Sequence, residues 1–196
     1  MLDDADFAAL SSPAPDWIAF GTLVSMHPHA RHLLHTTIQR FPHARRFYDI
    51  NLRRDSYTSE LVASLCQLAQ VVKLNDLEVG MVGHMFGTPE TDLESFCRSY
   101  AARFGWQAVC VTRGSQGCAL LLAGEYLELP GYRVTVADTV GAGDAFAAAL
   151  VHGIHAAWPA HHVGDFANRL GALVASRAGG VPAWTADDLT ELLPAP

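Results

Sequence analysis

The 196-residue sequence predicts an α/β fold with a mostly parallel central sheet. Short apolar runs alternate with segments of helical periodicity through the first half of the chain, an order typical of parallel strands with helices on the sheet faces. Half of the residues are hydrophobic, which is enough to bury a core. We therefore expect a single domain over residues 1–196, without internal repeats or linkers.

The strands predicted in the first half are apolar runs too short for helices and bounded by polar residues, glycine or proline. They are Trp17–Val24, Arg46–Ile50, Val71–Leu74 and Ala108–Thr112. Between them, apolar residues from Ala30 to Phe41 form one helical stripe that begins after Pro28, and Leu61–Ala69 repeats the pattern.

The second half predicts short antiparallel strands followed by helices. Cys118–Ala123 and Tyr126–Leu129 are joined at Gly124-Glu125, and Arg133–Ala137 follows a Pro-Gly pair as a third strand. The predicted helices cover Ala142–Gly153, Phe166–Arg177 and Asp187–Leu193.

Charge and composition argue against several classes of partner. The 13 Lys and Arg residues against 20 Asp and Glu residues give a net charge of −7, which disfavours a nucleic-acid-binding protein. No stretch approaches the roughly 20 apolar residues of a membrane span, and the acidic start, Met1–Asp4, is unlike a signal peptide. We therefore expect a cytoplasmic protein with neither a nucleic-acid nor a membrane partner.

The cysteines and a group of histidines are predicted to have no metal-binding role. Cys66, Cys97, Cys110 and Cys118 match neither the spacing of a metal clip nor that of a small disulfide framework, and we expect reduced thiols. His29, His32 and His35 lie off the apolar stripe of their helix, so we expect these residues and His27 to be solvated.

The most informative segment runs from Val134 to Leu150. A strand ends at Asp138, a glycine-rich turn follows, and an amphipathic helix begins near Gly143. Backbone N–H groups at such a helix start form a site for an anion such as phosphate, and Asp144 beside it could accept a proton from an attacking hydroxyl. The alternative is a plain glycine-rich turn whose aspartate favours the helix start. A P-loop, a complete dinucleotide fingerprint and a Gly-x-Ser-x-Gly elbow are all missing from the sequence.

Four motifs together resemble the PfkB, or ribokinase-like, carbohydrate kinase family. The stretch Asp138-Thr-Val-Gly-Ala-Gly-Asp144 resembles the second signature of that family. In family order, the chain also contains counterparts of its Asp-x-Asn-x-Arg, Asn-x-x-Glu and Thr-x-Gly-x-x-Gly motifs. These are Asp49-Ile-Asn51-Leu-Arg53, Asn75-Asp-Leu-Glu78 after Lys73, and Thr112-Arg-Gly114-Ser-Gln-Gly117. The resemblance covers about residues 17 to 185 and implies a ribokinase-like, three-layer α/β/α fold.

The resemblance also implies roles for individual residues, with ATP, Mg²⁺ and K⁺ as cofactors. Asp144 would be the general base on a sugar hydroxyl, and the amides of Gly141, Ala142 and Gly143 would form the anion hole. The nucleotide would be bound by Thr112, Gly114, Gly117 and Asn168, with Ala172 and Gly180 nearby. Magnesium and phosphate would be bound by Asn75 and Glu78, and Asn51 and Arg53 would lie near the substrate or the phosphates. A K⁺ site would lie near Asp138, Val140 and the Ala178–Ala183 turn.

Taken one at a time, the smaller motifs also have purely structural interpretations. Asn75 and Glu78 fit the capped start of a helix, Thr112-Arg-Gly fits a strand end and turn, and Asn51 with Arg53 fits a surface strand end. Their occurrence in family order favours the functional interpretation.

Family members usually carry further opening strands, sugar-binding pieces and a lid before the segment that matches Trp17. We expect this chain to lack them, and the sheet edge and helix faces so uncovered predict self-association. The expected function is the ATP-dependent transfer of the γ-phosphate to a hydroxyl of a sugar or nucleoside. The alternatives are an inactive nucleotide-binding module and a scaffold protein.

Overall fold

The computed structural model describes residues 13–53, 57–87 and 92–192. The chain divides into two units, the first comprising Met1–Pro89 with Tyr100–Gln107 and the second comprising Glu90–Ser99 with Ala108–Pro196. Each unit has three strands among its described residues. Those of the first unit are parallel and those of the second are antiparallel.

Three parallel strands form the sheet of the first unit. They are β1 (Trp17–Gly21), β2 (Arg45–Asp49) and β3 (Val71–Asn75). Gly21 is in register with Asp49, and Asp49 with Lys73, so the carboxyl ends of the three strands meet at one edge of the sheet.

The helices of the first unit follow its strands along the chain. They are α1 (Thr22–Ser25), α2 (Pro28–Arg40), α3 (Ser59–Leu68) and α4 (Asp76–Met85), and α5 (Leu93–Phe104) contains the boundary between the units. Val71, Val72 and Leu74 of β3 are fully buried, as is Leu65 of α3 at 1% exposure. Trp106 Nε1 donates to the carbonyl of Cys66 at 2.9 Å, which satisfies the indole inside this core.

One strand predicted for the first unit needs correction. The strand predicted over Trp17–Val24 ends at Gly21, because residues from Thr22 onward form the short helix α1. Thr22 Oγ1 lies 2.5 Å from the carbonyl of Ile50 and 2.7 Å from the Tyr48 hydroxyl, so its side chain fixes α1 to β2. Helix α2 forms where its stripe predicts, but none of its residues is buried. Helix α5 was not predicted.

The second unit has an antiparallel meander of β4 (Ala108–Thr112), β5 (Cys118–Leu122) and β6 (Glu125–Leu129). Its helices are α6 (Ala142–His155), α7 (Ala160–Ala175) and α8 (Ala186–Thr190). The hairpin turn lies at Ala123-Gly124, both with positive φ, one residue before the predicted Gly124-Glu125. Helix α7 begins after Pro159, well before the predicted Phe166.

The strand predicted over Arg133–Ala137 is wrong. This segment has no regular strand, and the N–H groups of Ala137 and Asp138 instead donate to the carbonyl of Ala175, at 2.9 and 3.2 Å. The alternating side chains that resemble a strand face belong to a segment that is hydrogen-bonded to the end of α7 instead of to a strand.

The four cysteines are buried thiols, as expected, and none forms a disulfide. Burial raises the pKa of Cys66 and of Cys97 to about 12, so these thiols are protonated near neutral pH. His27, His29, His32 and His35 are all exposed, as predicted. Among the residues that the structure describes, no helix is both long and apolar enough to cross a membrane.

Candidate active site

A cavity of about 510 Å³ lies within the second unit. Three parts of the chain enclose it: the connection between β4 and β5, the extended segment before α6, and the facing sides of α6 and α7. Six residues predicted from the resemblance line it: Thr112, Gly114, Gly117, Ala142, Gly143 and Asn168. The lining also includes Ala172, which was expected nearby, and residues that were not predicted, among them Tyr132, Val134, Phe146 and Gly171.

The glycine at the end of the Thr112–Gly117 turn is required by backbone packing. Gly117 has φ +89°, and a Cβ built on it would lie 2.1 Å from the carbonyl oxygen of Leu129. No other residue fits there without moving the backbone. The turn therefore lies directly on the segment that follows β6 and shapes the cavity wall.

The residues that the resemblance assigns to an anion hole lie at the start of α6. Gly141 is the N-cap in the left-handed region, with φ +80° and no side-chain cap. The first bond of the α-helical pattern runs from the Ala145 N–H to the Gly141 carbonyl at 2.8 Å. The N–H groups of Gly143 and Asp144 come before it in the chain, so the helix has no carbonyl four residues earlier for them. Both residues are exposed. This helix start can accept an anion from solvent.

Asp138 shapes the turn that leads into α6. Its Oδ1 accepts a hydrogen bond from the Val140 N–H at 3.0 Å, which is the pattern of an Asx turn. Val140 itself is 64% exposed. The two residues predicted to border a K⁺ site therefore both belong to this turn, two positions apart.

Asn168 lies on α7 at the cavity wall. It is buried, and its Nδ2 donates to the carbonyl of Pro130 at 3.2 Å. A second wall residue, Tyr132, donates its hydroxyl to Asp165, which also accepts from Arg169 Nε at 2.8 Å. These bonds hold the segment after β6 against α7.

The residues predicted for magnesium and phosphate lie in the first unit, at the start of α4. Asn75 Oδ1 accepts from the Glu78 N–H at 2.9 Å, and Glu78 Oε2 accepts from the Asn75 N–H at 2.8 Å. Glu78 Oε1 accepts from the Leu52 N–H at 2.5 Å. Both hydrogen bonds of a capping box are therefore formed, as the structural interpretation of this motif predicts. Glu78 also anchors the segment that carries Asn51 and Arg53.

Glu78 is only 3% exposed. Burial raises its pKa, the hydrogen bonds from Asn75 and Leu52 oppose that rise, and the charge of Asp49 adds to it while that of Lys73 opposes it. Asn51 and Arg53 are exposed, and Asn51 has φ +41°. Left-handed backbone at a non-glycine residue makes a sharp turn at the end of β2.

Sequence reasoning missed one buried ion pair in this region. Lys73 Nζ lies 3.1 and 2.9 Å from the two carboxylate oxygens of Asp49, and the lysine side chain is 10% exposed. Both residues belong to the quoted motifs, but neither was given a role. The signal was available, since each lies at or near the carboxyl end of a predicted parallel strand.

Comparison with known proteins agrees with the motifs. The family model described as pfkB family carbohydrate kinase matches residues 6–186. A fructokinase of Escherichia coli is 28% identical over 181 residues, covering 86% of this chain and 57% of that protein. Other curated sugar kinases match over less than half of their own length, so the chain spans about half the length of the curated relatives it matches.

Solved structures confirm the expected fold class. The aminoimidazole riboside kinase of Salmonella enterica, complexed with aminoimidazole riboside and an ATP analogue, gives a TM-score of 0.73 at 25% identity. The match covers 89% of this chain and 61% of that one. A putative ribokinase II from E. coli, in complex with ATP and Mg²⁺, gives 0.75 at 21% identity, over 88% and 56% of the two chains. The fold is ribokinase-like α/β, and since the family model spans all four motifs, the chain belongs to the pfkB family of carbohydrate kinases.

Proposed function

We propose that this chain contributes the nucleotide site and the general base of an ATP-dependent kinase that phosphorylates a hydroxyl of a sugar or nucleoside. The observation that carries the proposal is the open helix start beside the cavity of the second unit. Gly143 lines that cavity and Asp144 follows it directly. An anion site and a carboxylate thus occur on one helical turn.

Asp144 is suited to take a proton from the attacking hydroxyl. It lies in the first turn of α6 and is exposed, so a substrate can approach it. Phosphoryl transfer requires little covalent chemistry from the protein, and positioning of the hydroxyl with removal of its proton is the main task left to a side chain.

The amides of Gly141, Ala142 and Gly143 are proposed to stabilise the charge on the transferring phosphoryl group. Ala142 N–H donates to the Thr139 carbonyl at a long 3.3 Å, a bond weak enough to be exchanged for a phosphate oxygen. Glycine, alanine and valine make up most of the lining of the cavity beside these amides, and Asn168, Thr112 and Ser115 are among its polar residues. This composition suits the base and ribose of a nucleotide.

Asn75 and Glu78 fit Mg²⁺ only through water. Their donor atoms are oxygens, which suits this ion, but both Glu78 oxygens already accept backbone N–H bonds and the residue is 3% exposed. When bound, Mg²⁺ would neutralise charge on the phosphates of ATP. The proposed part of Glu78 is to orient retained water and to hold the segment from Asn51 to Arg53.

The test compares wild type with Asp144→Asn, using Glu94→Gln as a matched control. Glu94 is a half-exposed carboxylate in the first turn of α5. Transfer of the γ-phosphate from ATP is measured across a panel of sugars and nucleosides, and nucleotide affinity is measured with a fluorescent ATP analogue. We expect Asp144→Asn to lower turnover by ~10²-fold or more while affinity stays within a few-fold.

Turnover retained by Asp144→Asn would contradict the base assignment. Saturable nucleotide binding without transfer to any acceptor would identify the chain as a nucleotide-binding module. Failure of wild type to bind the analogue would contradict the proposal as a whole.

A further inference from the structure

The anion-hole turn is packed against a segment near the end of the described chain. A Cβ built on Gly141 would lie 2.1 Å from the carbonyl oxygen of Gly180. The backbone of the turn and the backbone that follows α7 are therefore in direct contact. A shift of Gly180 would move Gly141, because closely packed backbone cannot absorb it.

One arginine fastens the segment that carries Gly180. We define the strap as residues 178–189. Arg177 Nη2 pairs with Asp188 Oδ1 at 2.7 Å, and Arg177 Nη1 donates to the carbonyl of Ala183. The side chains of Arg177 and Asp188 are 32% and 29% exposed. The guanidinium thus closes the strap into a loop, with one bond at its middle and one near its end.

The partner of Arg177 is itself held in place. Asp188 Oδ2 accepts from the Thr185 N–H at 2.6 Å and from its hydroxyl at 3.0 Å. Its pKa is lowered by the Thr185 N–H first and by Arg177 next. A carboxylate with this many donors has a fixed orientation, and it therefore gives the arginine a fixed point of attachment.

A second arginine ties the far end of the strap to α7. Arg169 Nη1 donates to the carbonyl of Leu189 at 2.8 Å, and Leu189 is buried. With both ends attached to α7, the position of Gly180 is set by the loop that Arg177 closes.

We infer that Arg177 is a positioning residue for the anion hole, acting through the strap and Gly180 on the backbone of Gly141. The inference deepens the proposed function and rests on it for the catalytic consequence. Amides that stabilise a transferring phosphoryl group must be fixed before the reaction. Loss of Arg177 therefore loosens the turn without removing any group that contacts the reactants.

The experiment compares Arg177→Met with Arg98→Met. Arg98 makes the same set of bonds elsewhere, with an ion pair to Glu94 at 2.7 Å and a bond to the Gly124 carbonyl at 3.2 Å. Hydrogen–deuterium exchange of the peptides covering residues 137–143 is measured in each variant. We expect Arg177→Met to speed their exchange by about threefold or more, as local opening becomes easier, and Arg98→Met to leave it unchanged.

Where the wild-type protein shows measurable kinase turnover, steady-state kinetics provide a second readout. Arg177→Met is expected to lower kcat by about three- to tenfold with little change in the KM for ATP, since misplacement acts on the transition state. Arg177→Lys keeps the charge but not the planar fork, and it should restore part of the loss. It also serves as the test variant if Arg177→Met fails to fold.

Unchanged exchange over residues 137–143 in both Arg177 variants would overturn the inference. Faster exchange in a chain without any transfer activity would support the positioning role and would count against the proposed function alone.

Discussion

The helices α4 and α6 both begin with an acid three residues after the N-cap, but the two starts differ in the N-cap residue and in the exposure of the acid. In α4, Asn75 caps the helix and Glu78 folds back onto the Asn75 N–H. In α6, Gly141 occupies the cap with φ +80° and no side chain, and Asp144 is exposed. The residue at the N-cap therefore decides whether the acid is a structural cap or is left available to a ligand.

The physical reason lies in the backbone angle of the N-cap. Asn75 has φ −101° and extended ψ, which places its side chain and backbone N–H within reach of the residue three positions later. Left-handed Gly141 has no side chain to offer, so no side chain caps the N–H groups of Gly143 and Asp144 at the start of α6. A closed start contributes stability, and an open start can contribute binding.

The largest effect is expected from Gly141→Ala. The new Cβ would clash with the Gly180 carbonyl in addition to the strain of positive φ, so we expect a loss of more than about 3 kcal/mol in the free energy of unfolding. Gly124→Ala is the control, because Gly124 has φ +84° with no atom within 4 Å of the added Cβ. It should lose only about 1–2 kcal/mol. Urea unfolding measures both, and equal losses would refute the packing of the strap on the turn.

Glu78→Gln tests the closed start. The amide can replace only one of the two accepting oxygens, so either the Leu52 or the Asn75 N–H faces a donor inside the protein. A buried unpaired group costs about 1–3 kcal/mol. We expect a loss of that size at neutral pH. A variant as stable as wild type would show that these bonds contribute nothing.

The stability difference between wild type and Glu78→Gln is expected to depend on pH. The pKa of Glu78 is raised above its usual 4.5, with burial as the main cause. The folded state therefore holds this proton to higher pH than the unfolded state, and stability falls as pH rises from 4.5 through the folded-state pKa. Thermal melts of wild type and Glu78→Gln should show the advantage of wild type shrinking over that window. An advantage that grows with pH would contradict the raised pKa.

The smallest effect is expected from Asn75→Ala, which removes only the side-chain bond to the Glu78 N–H. Loss of an N-cap costs about 1 kcal/mol. The matched variant is Thr58→Ala at the start of α3, where Thr58 accepts from the Leu61 N–H at 3.2 Å. Similar losses in the two variants would show that capping is the whole contribution of the Asn75 side chain to stability. A far larger loss at Asn75 would reveal a further structural role.

The α4 and α6 starts also show how far the sequence predicts the site. The glycine turn before α6 could be located, because positive φ and a helix start leave a clear pattern of glycine, aspartate and apolar residues. The structural interpretation of Asn75 and Glu78 followed from spacing alone. The bond from Leu52 to Glu78 could not be predicted, because it depends on how the end of β2 lies beside α4.

The predicted fold contains two kinds of error. Arg133–Ala137 alternates like a strand, but its backbone partner is the end of α7, which no local pattern encodes. Helix α5 has an apolar spacing through Phe96, Cys97 and Tyr100, all buried, so its signal was present. The strap could not have been predicted, since the contact of Gly180 with Gly141 joins residues 39 positions apart only through the fold.

We propose that the cavity of the second unit binds ATP, and calorimetric titration with ATP and Mg²⁺ measures this binding. Ala172→Leu enlarges a side chain of the cavity wall, while Ala148→Leu makes the same change at an exposed position on α6. We expect saturable binding to wild type and to Ala148→Leu, and a loss of at least about tenfold in affinity for Ala172→Leu, about 1.4 kcal/mol, with all three proteins melting within a few degrees of one another. Binding that Ala172→Leu leaves unchanged, or no binding to wild type, would contradict ATP binding in this cavity.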